Sequence, residues 1–94
     1  MGNVSATQKT PVVTLMTRAG CPSCATAQTA LEAILADYGL TLQVHDVDQL
    51  AGDGDPQPRA EYGDRVPVIL LDGAEHGYWE VDEDRLRADL HARR

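Results

Sequence analysis

A chain of 94 residues, 43% of them hydrophobic, with a formal net charge of −7, has the size of one small domain and enough apolar content for a core. The acidic balance disfavours nucleic acid and anionic membrane surfaces as partners, and no apolar run approaches the roughly 20 residues of a membrane span. Met1–Thr10 is mostly polar and lacks the apolar stretch of a secretory leader, so a cytoplasmic protein is expected.

In chain order, residues 1–10 read as a disordered tail and residues 11–94 as a single domain. Val12–Met16 is a short β-branched, apolar strand, and Thr17-Arg18-Ala19-Gly20 is the turn after it. A helix follows over about Pro22–Asp37. Ala27, Leu31, Ile34 or Leu35, and Tyr38 recur at helical steps, Pro22 fits the first helical position, and Gly39 is a natural stop. Leu40–Val47 alternates, with Leu40, Leu42 and Val44 apolar, and predicts a second strand. A strand, a helical crossover and a strand form a parallel βαβ unit.

Asp46 to Pro58 is rich in Asp, Gly and Pro and reads as a loop; its acidic residues lack the spacing of a calcium loop. Arg59–Tyr62 makes a short helical turn closed by Gly63, with Tyr62 packed under the loop. Val66–Leu71 is the third strand, with Pro67 near its start, where proline is tolerated. Asp72-Gly73 signals a tight turn, and Glu75–Val81 returns as an antiparallel fourth strand. Tyr78 and Trp79 are expected to cover the sheet or the loop. Asp82 is a good N-cap for a last amphipathic helix carrying Leu86 and Leu90, with Arg93 and Arg94 at its dipole-favoured end.

The chemistry sits between the first strand and the first helix, in Cys21-Pro22-Ser23-Cys24. A helix N-terminus carries about half a positive charge and unpaired N–H groups, which favour a thiolate. A thiol there has its pKa drawn from about 8.5 towards 7 or below. Arg18, three residues upstream, adds positive charge. The two-residue spacer lets the sulfurs close a disulfide, with Cys21 as the exposed attacker and Cys24 as the resolving thiol. A zinc site needs two more ligands, and His45, His76 and His91 are scattered.

Three segments together resemble the thioredoxin superfamily, and within it the small glutaredoxin-like family catalogued as DUF836. They are Thr17–Cys24, Tyr62–Val68 with its Val-Pro-Val, and the Asp72-Gly73 hairpin with the final helix. The likeness spans about Pro11 to Ala92 and implies an α/β thioredoxin/glutaredoxin-like fold, a four-stranded mixed sheet flanked by helices in the order β-α-β-β-β-α. It also implies that Val66–Pro67 is a cis bond facing the cysteine pair. The Val66 backbone would then pair with an extended substrate. The implied activity is thiol–disulfide exchange, with Cys21 and Cys24 catalytic and Arg18, Pro22, Arg65, Val66 and Pro67 at the substrate.

Departures narrow this reading. Many glutaredoxins carry Gly-Gly and Asp after the fourth strand to grip glutathione; here the region is Trp79-Glu80-Val81-Asp82-Glu83-Asp84. Glu80 and Glu83 would repel glutathione's carboxylates, whereas Arg18 or Arg65 would bind one. Glutathione is therefore disfavoured as substrate, though it stays a candidate reductant. The expected substrate is a protein disulfide or a low-molecular-weight thiol, with a reductase or glutathione as electron source and no bound cofactor. The competing class is a non-catalytic binding module, or an iron–sulfur or metal carrier using the cysteine pair.

Overall fold

A computed structural model describes residues 10–93. The tail expected over residues 1–10 therefore lies outside the described residues except for Thr10, as does Arg94. The elements are β1 (Val13–Thr17), α1 (Pro22–Ala36), β2 (Gln43–Asp46), α2 (Val47–Gly52), α3 (Gln57–Tyr62), β3 (Val68–Leu71), β4 (Ala74–Tyr78) and α4 (Glu83–Ala92). The strands form one sheet in the order β2-β1-β3-β4. The β1–β2 pair is parallel, as the βαβ unit requires, and β3 is antiparallel to both β1 and β4.

Strand alternation sorts the core into two faces. Val13 and Leu15 of β1, with Ile69 and Leu71 of β3, point to one side. There they meet Ala27, Leu31, Ile34 and Leu35 of α1 and Leu86 and Leu90 of α4. Met16, Val68 and Leu70 point to the other side and meet Val47 of α2, with Tyr62 and Val66 packed alongside.

The helix ends follow local chemistry. Gly39 adopts φ +67 and closes α1. Its N–H bonds the Ala36 carbonyl at 3.2 Å while the Leu40 N–H bonds that of Leu35 at 3.0 Å, the paired bonds of a Schellman motif. Asp82 caps α4 by accepting from the Arg85 N–H at 3.2 Å, and Glu83 and Asp84 suit the positive end of the dipole.

Several expected boundaries move. The second strand starts at Gln43 rather than Leu40, because Leu40 and Leu42 pack onto the α1 face before pairing begins, and Val44 is 40% exposed. It ends at Asp46, whose carboxylate accepts from the N–H groups of Asp48 and Gln49 and turns Val47 into the first residue of a helix. The segment read as one loop thus contains α2, and the short turn at Arg59 starts two residues earlier, at Gln57. The third strand begins at Val68, after Pro67, and the fourth ends at Tyr78 rather than Val81. Trp79 leaves the extended region there, with φ +71. No helix among the described residues is long and apolar enough to cross a membrane.

Candidate functional site

Register gathers the chemistry at one end of the sheet. Met16 pairs with Val68, Thr17 with Asp46, and Val68 with Tyr78. The loop leading to Cys21, the start of α2, the Arg65–Pro67 segment and Trp79 therefore all lie at the same edge.

Cys21 occupies the N-cap of α1 with φ −112° and ψ 98°, and Pro22 takes the first helical position. Its carbonyl accepts from the Cys24 and Ala25 N–H groups at 3.1 and 3.2 Å, and its sulfur accepts from the Cys24 N–H at 3.1 Å. The sulfur thus caps the helix in the way a Ser or Asp oxygen would. Cys21 and Cys24 are joined as a disulfide, with Cα atoms 5.2 Å apart. Cys24 is 3% exposed, whereas Cys21 is only half-buried. The first turn of α1 holds no acidic side chain, so no charge there opposes a sulfur anion when the disulfide opens.

Arg18 and Arg65 both lie at this end, and both are engaged. Arg18 grips Asp48 with two bonds, Nε to Oδ2 at 3.0 Å and Nη2 to Oδ1 at 2.8 Å, and its Nη1 donates to the Gly63 carbonyl at 3.1 Å. This fork ties the loop before Cys21 to α2 and to the segment before Pro67. The hydrogen bonds and charge of the pair raise the Arg18 pKa and hold the Asp48 carboxyl below its ordinary value. Arg65 donates to Glu75 at 2.9 and 3.2 Å and to the Glu61 carbonyl at 3.1 Å, and lies 5.6 Å from the centroid of the Tyr78 ring. Tyr62, beside it, has its phenol pKa pushed up by burial.

The Val66–Pro67 peptide bond is cis, and Pro67 is fully buried. The Pro67 carbonyl accepts from the Trp79 N–H at 2.7 Å. Among the described residues the Val66 N–H and C=O have no hydrogen-bond partner, and its side chain packs on the smaller core cluster.

Trp79 departs from expectation. Its side chain does not cover the sheet but is 59% exposed, meeting Tyr78 edge to face at 5.1 Å. A bulky residue at positive φ is rare; here the Pro67 and Tyr78 carbonyls fix the turn through the Trp79 and Glu80 N–H groups. Trp79–Val81 forms one wall of a groove of about 470 Å³, and Pro22, Ser23, Thr26, Ala27 and Ala30 of α1 form the other. The sequence carries no signal for this wall, because the reversal at Trp79 uses neither Gly nor Asn. The Arg18–Asp48 pairing carries no sequence signal either, because the Asp, Gly and Pro content of the segment hides α2. Among the described residues no group of three or more His, Cys, Asp or Glu side chains is placed to hold a metal ion.

A family model described as a glutaredoxin-like domain (DUF836) matches residues 12–91. An uncharacterized protein of Mycobacterium tuberculosis is 52% identical over 80 residues, covering 85% of this chain and 82% of that protein. Among solved structures, the solution NMR structure of a Nitrosomonas europaea protein superposes with a TM-score of 0.72 at 24% identity, over 87% of this chain and 93% of that one. The holo form of glutaredoxin C1 from Populus tremula x tremuloides superposes with a TM-score of 0.58 at 20% identity, over 99% and 90%. At those identities the two structures speak to the fold alone, and that fold is the expected thioredoxin/glutaredoxin-like α/β arrangement.

Proposed function

Given that the chain belongs to the glutaredoxin-like domain family (DUF836), we propose that it is a thiol–disulfide oxidoreductase of the cytoplasm with Cys21 as nucleophile. In the reduced protein the Cys21 thiolate attacks a substrate disulfide. A Cys21–substrate S–S bond forms, the substrate S–S bond breaks, and the leaving thiolate takes up a proton. Cys24 then loses its proton and attacks Cys21 Sγ, releasing the second substrate sulfur as a thiol and closing the Cys21–Cys24 bond. Two electrons pass to the substrate, and an external thiol such as glutathione, or a reductase, returns the pair to the dithiol.

The observation that carries this reading is the asymmetry of the pair. One sulfur caps a helix where solvent can reach it, and its bonded partner is 3% exposed. Attack on the protein disulfide by a reductant is thereby directed to Cys21, and release of substrate falls to Cys24. The unpaired Val66 backbone supports docking of an extended substrate as an added strand beside Pro67. Arg18 and Arg65 hold the two loops that frame the site, and a substrate carboxylate would have to displace Asp48 or Glu75 to reach them. Protein disulfides and mixed disulfides of small thiols are the substrates this arrangement suits.

The test is reduction of a chromogenic disulfide, supported in turn by glutathione and by a thioredoxin reductase. Cys21→Ser should abolish turnover, and Cys24→Ser should accumulate a mixed disulfide visible by intact mass. Wild-type rates in both variants would overturn the mechanism.

A further inference from the structure

We propose that the groove between α1 and Trp79–Val81 selects disulfide substrates by a lysine or arginine close to their reactive cysteine, with Trp79 and Glu80 as the residues that read the cation. The proposal rests on the exchange reading above and names the substrate class for that site: a peptide segment of a protein, apolar and positively charged.

The position of the groove comes first. Its α1 wall starts at Pro22 and Ser23, next to Cys21, and runs to Ala30. From Pro22 to Ala30 the helix climbs eight steps of about 1.5 Å each, about 12 Å in all. An extended peptide rises about 3.3 Å per residue, so the groove accommodates about three to four residues beside the reacting sulfur.

The charge of the walls comes second. Among the described residues Glu80 is the one ionisable side chain lining the groove, and no cation lines it. The charged side chain of α1 is Glu32, and the segment after Val81 continues with the exposed Asp82, Glu83 and Asp84. The cations near this end are committed elsewhere. Arg85 turns to Asp82 and to the His76 carbonyl, Arg65 to Glu75, and Arg18 to Asp48. A ligand bearing carboxylates finds repulsion here and no partner. An ammonium or guanidinium finds a carboxylate and an indole that is 59% exposed, and indole is the best of the aromatic faces for a cation.

Trp79 is the chain's one tryptophan, so its fluorescence reports this wall directly. Two capped pentapeptides, differing only in a lysine or a glutamate two residues from a serine that stands in for the reactive cysteine, are titrated against the full oxidised chain. The lysine peptide should bind about fivefold tighter, the scale of one exposed cation–π contact. That preference should shrink in Glu80→Gln, which keeps the indole contact, and reverse in Glu80→Lys. Equal affinities, a glutamate preference or no response to either peptide would overturn the proposal. The cysteine forms of the peptides, presented as mixed disulfides with thionitrobenzoate, separate the two readings. If the serine peptides keep the lysine preference but no disulfide reacts, the exchange reading fails and the groove stands. If both disulfides react at equal rates and the serine peptides show no preference, the groove proposal fails alone.

Discussion

The two faces of the sheet are built from alternate residues of the same strands, yet they are held differently. On one face ten buried apolar residues interlock beneath α1 and α4. On the other, four do so beneath α2 and α3, and polar ties complete the fastening: Arg18 to Asp48, Arg18 to the Gly63 carbonyl, and Arg59 to Asp48 at 3.5 Å. Long helices contribute whole turns of apolar surface, whereas a helix of six residues contributes one or two side chains. The comparison teaches that apolar packing fixes the body of this fold, while directional bonds fix the loops that frame the cysteines.

The largest effect expected is on the thick face. Leu31, 0% exposed, truncated to Ala should lose about 3 kcal/mol, within the usual 2–5 for such cavities, read from the denaturant midpoint. Met16→Ala, on the thin face at 8% exposure, should lose about 2 kcal/mol, at the low end of that range. Equal losses would erase the contrast between the faces. Gly63→Ala tests how tightly the thin face is closed. A Cβ there would stand 2.6 Å from the Arg59 carbonyl oxygen, a backbone atom, so a loss of about 1–2 kcal/mol is expected by calorimetry.

The smallest effect belongs to Asp48→Asn, a slight loss of stability at neutral pH, because solvent screens a partly exposed ion pair. Its sign with pH is fixed by linkage. The folded-state pKa of Asp48 lies below the unfolded one, so the pair's contribution is present above the ordinary carboxylate value near 4 and fades as pH falls through the folded value. The variant and wild type should therefore differ at pH 6 and converge as pH falls through the lowered folded-state value. Faster amide exchange at Gly20 and Cys21 in the variant would show that the fork steadies the cysteine loop.

The thick face was legible in the sequence, and the thin one largely was not. Ala27, Leu31, Ile34 and Leu35 repeat at helical spacing and all are buried, so α1 was predicted to within one residue. Gly39 and Asp82 marked the ends of α1 and α4 by their own chemistry. By contrast α2 is too short to show a period, and the alternation of Leu40, Leu42 and Val44 imitated a strand. A signal was nonetheless present: Asp46 followed three residues later by Gln49 is a capping-box spacing, and Asp46 does cap α2. At the site, Cys21 and Cys24 could be placed because the strand-to-helix junction is local. The wall at Trp79 could not, because it depends on a carbonyl of Pro67, twelve positions upstream, taking the Trp79 N–H.

Asp72, in the turn between β3 and β4, accepts from the Val12 N–H at 2.9 Å and from Arg93 Nε at 2.9 Å, while its own N–H bonds the Val12 carbonyl at 2.8 Å. One residue thereby draws the first strand and the last helix together at the pole farthest along the sheet from Cys21. A tether or affinity handle joined at Val12 or Arg93 would be fixed at that pole, so the domain can be anchored to a surface with its sulfurs facing outward.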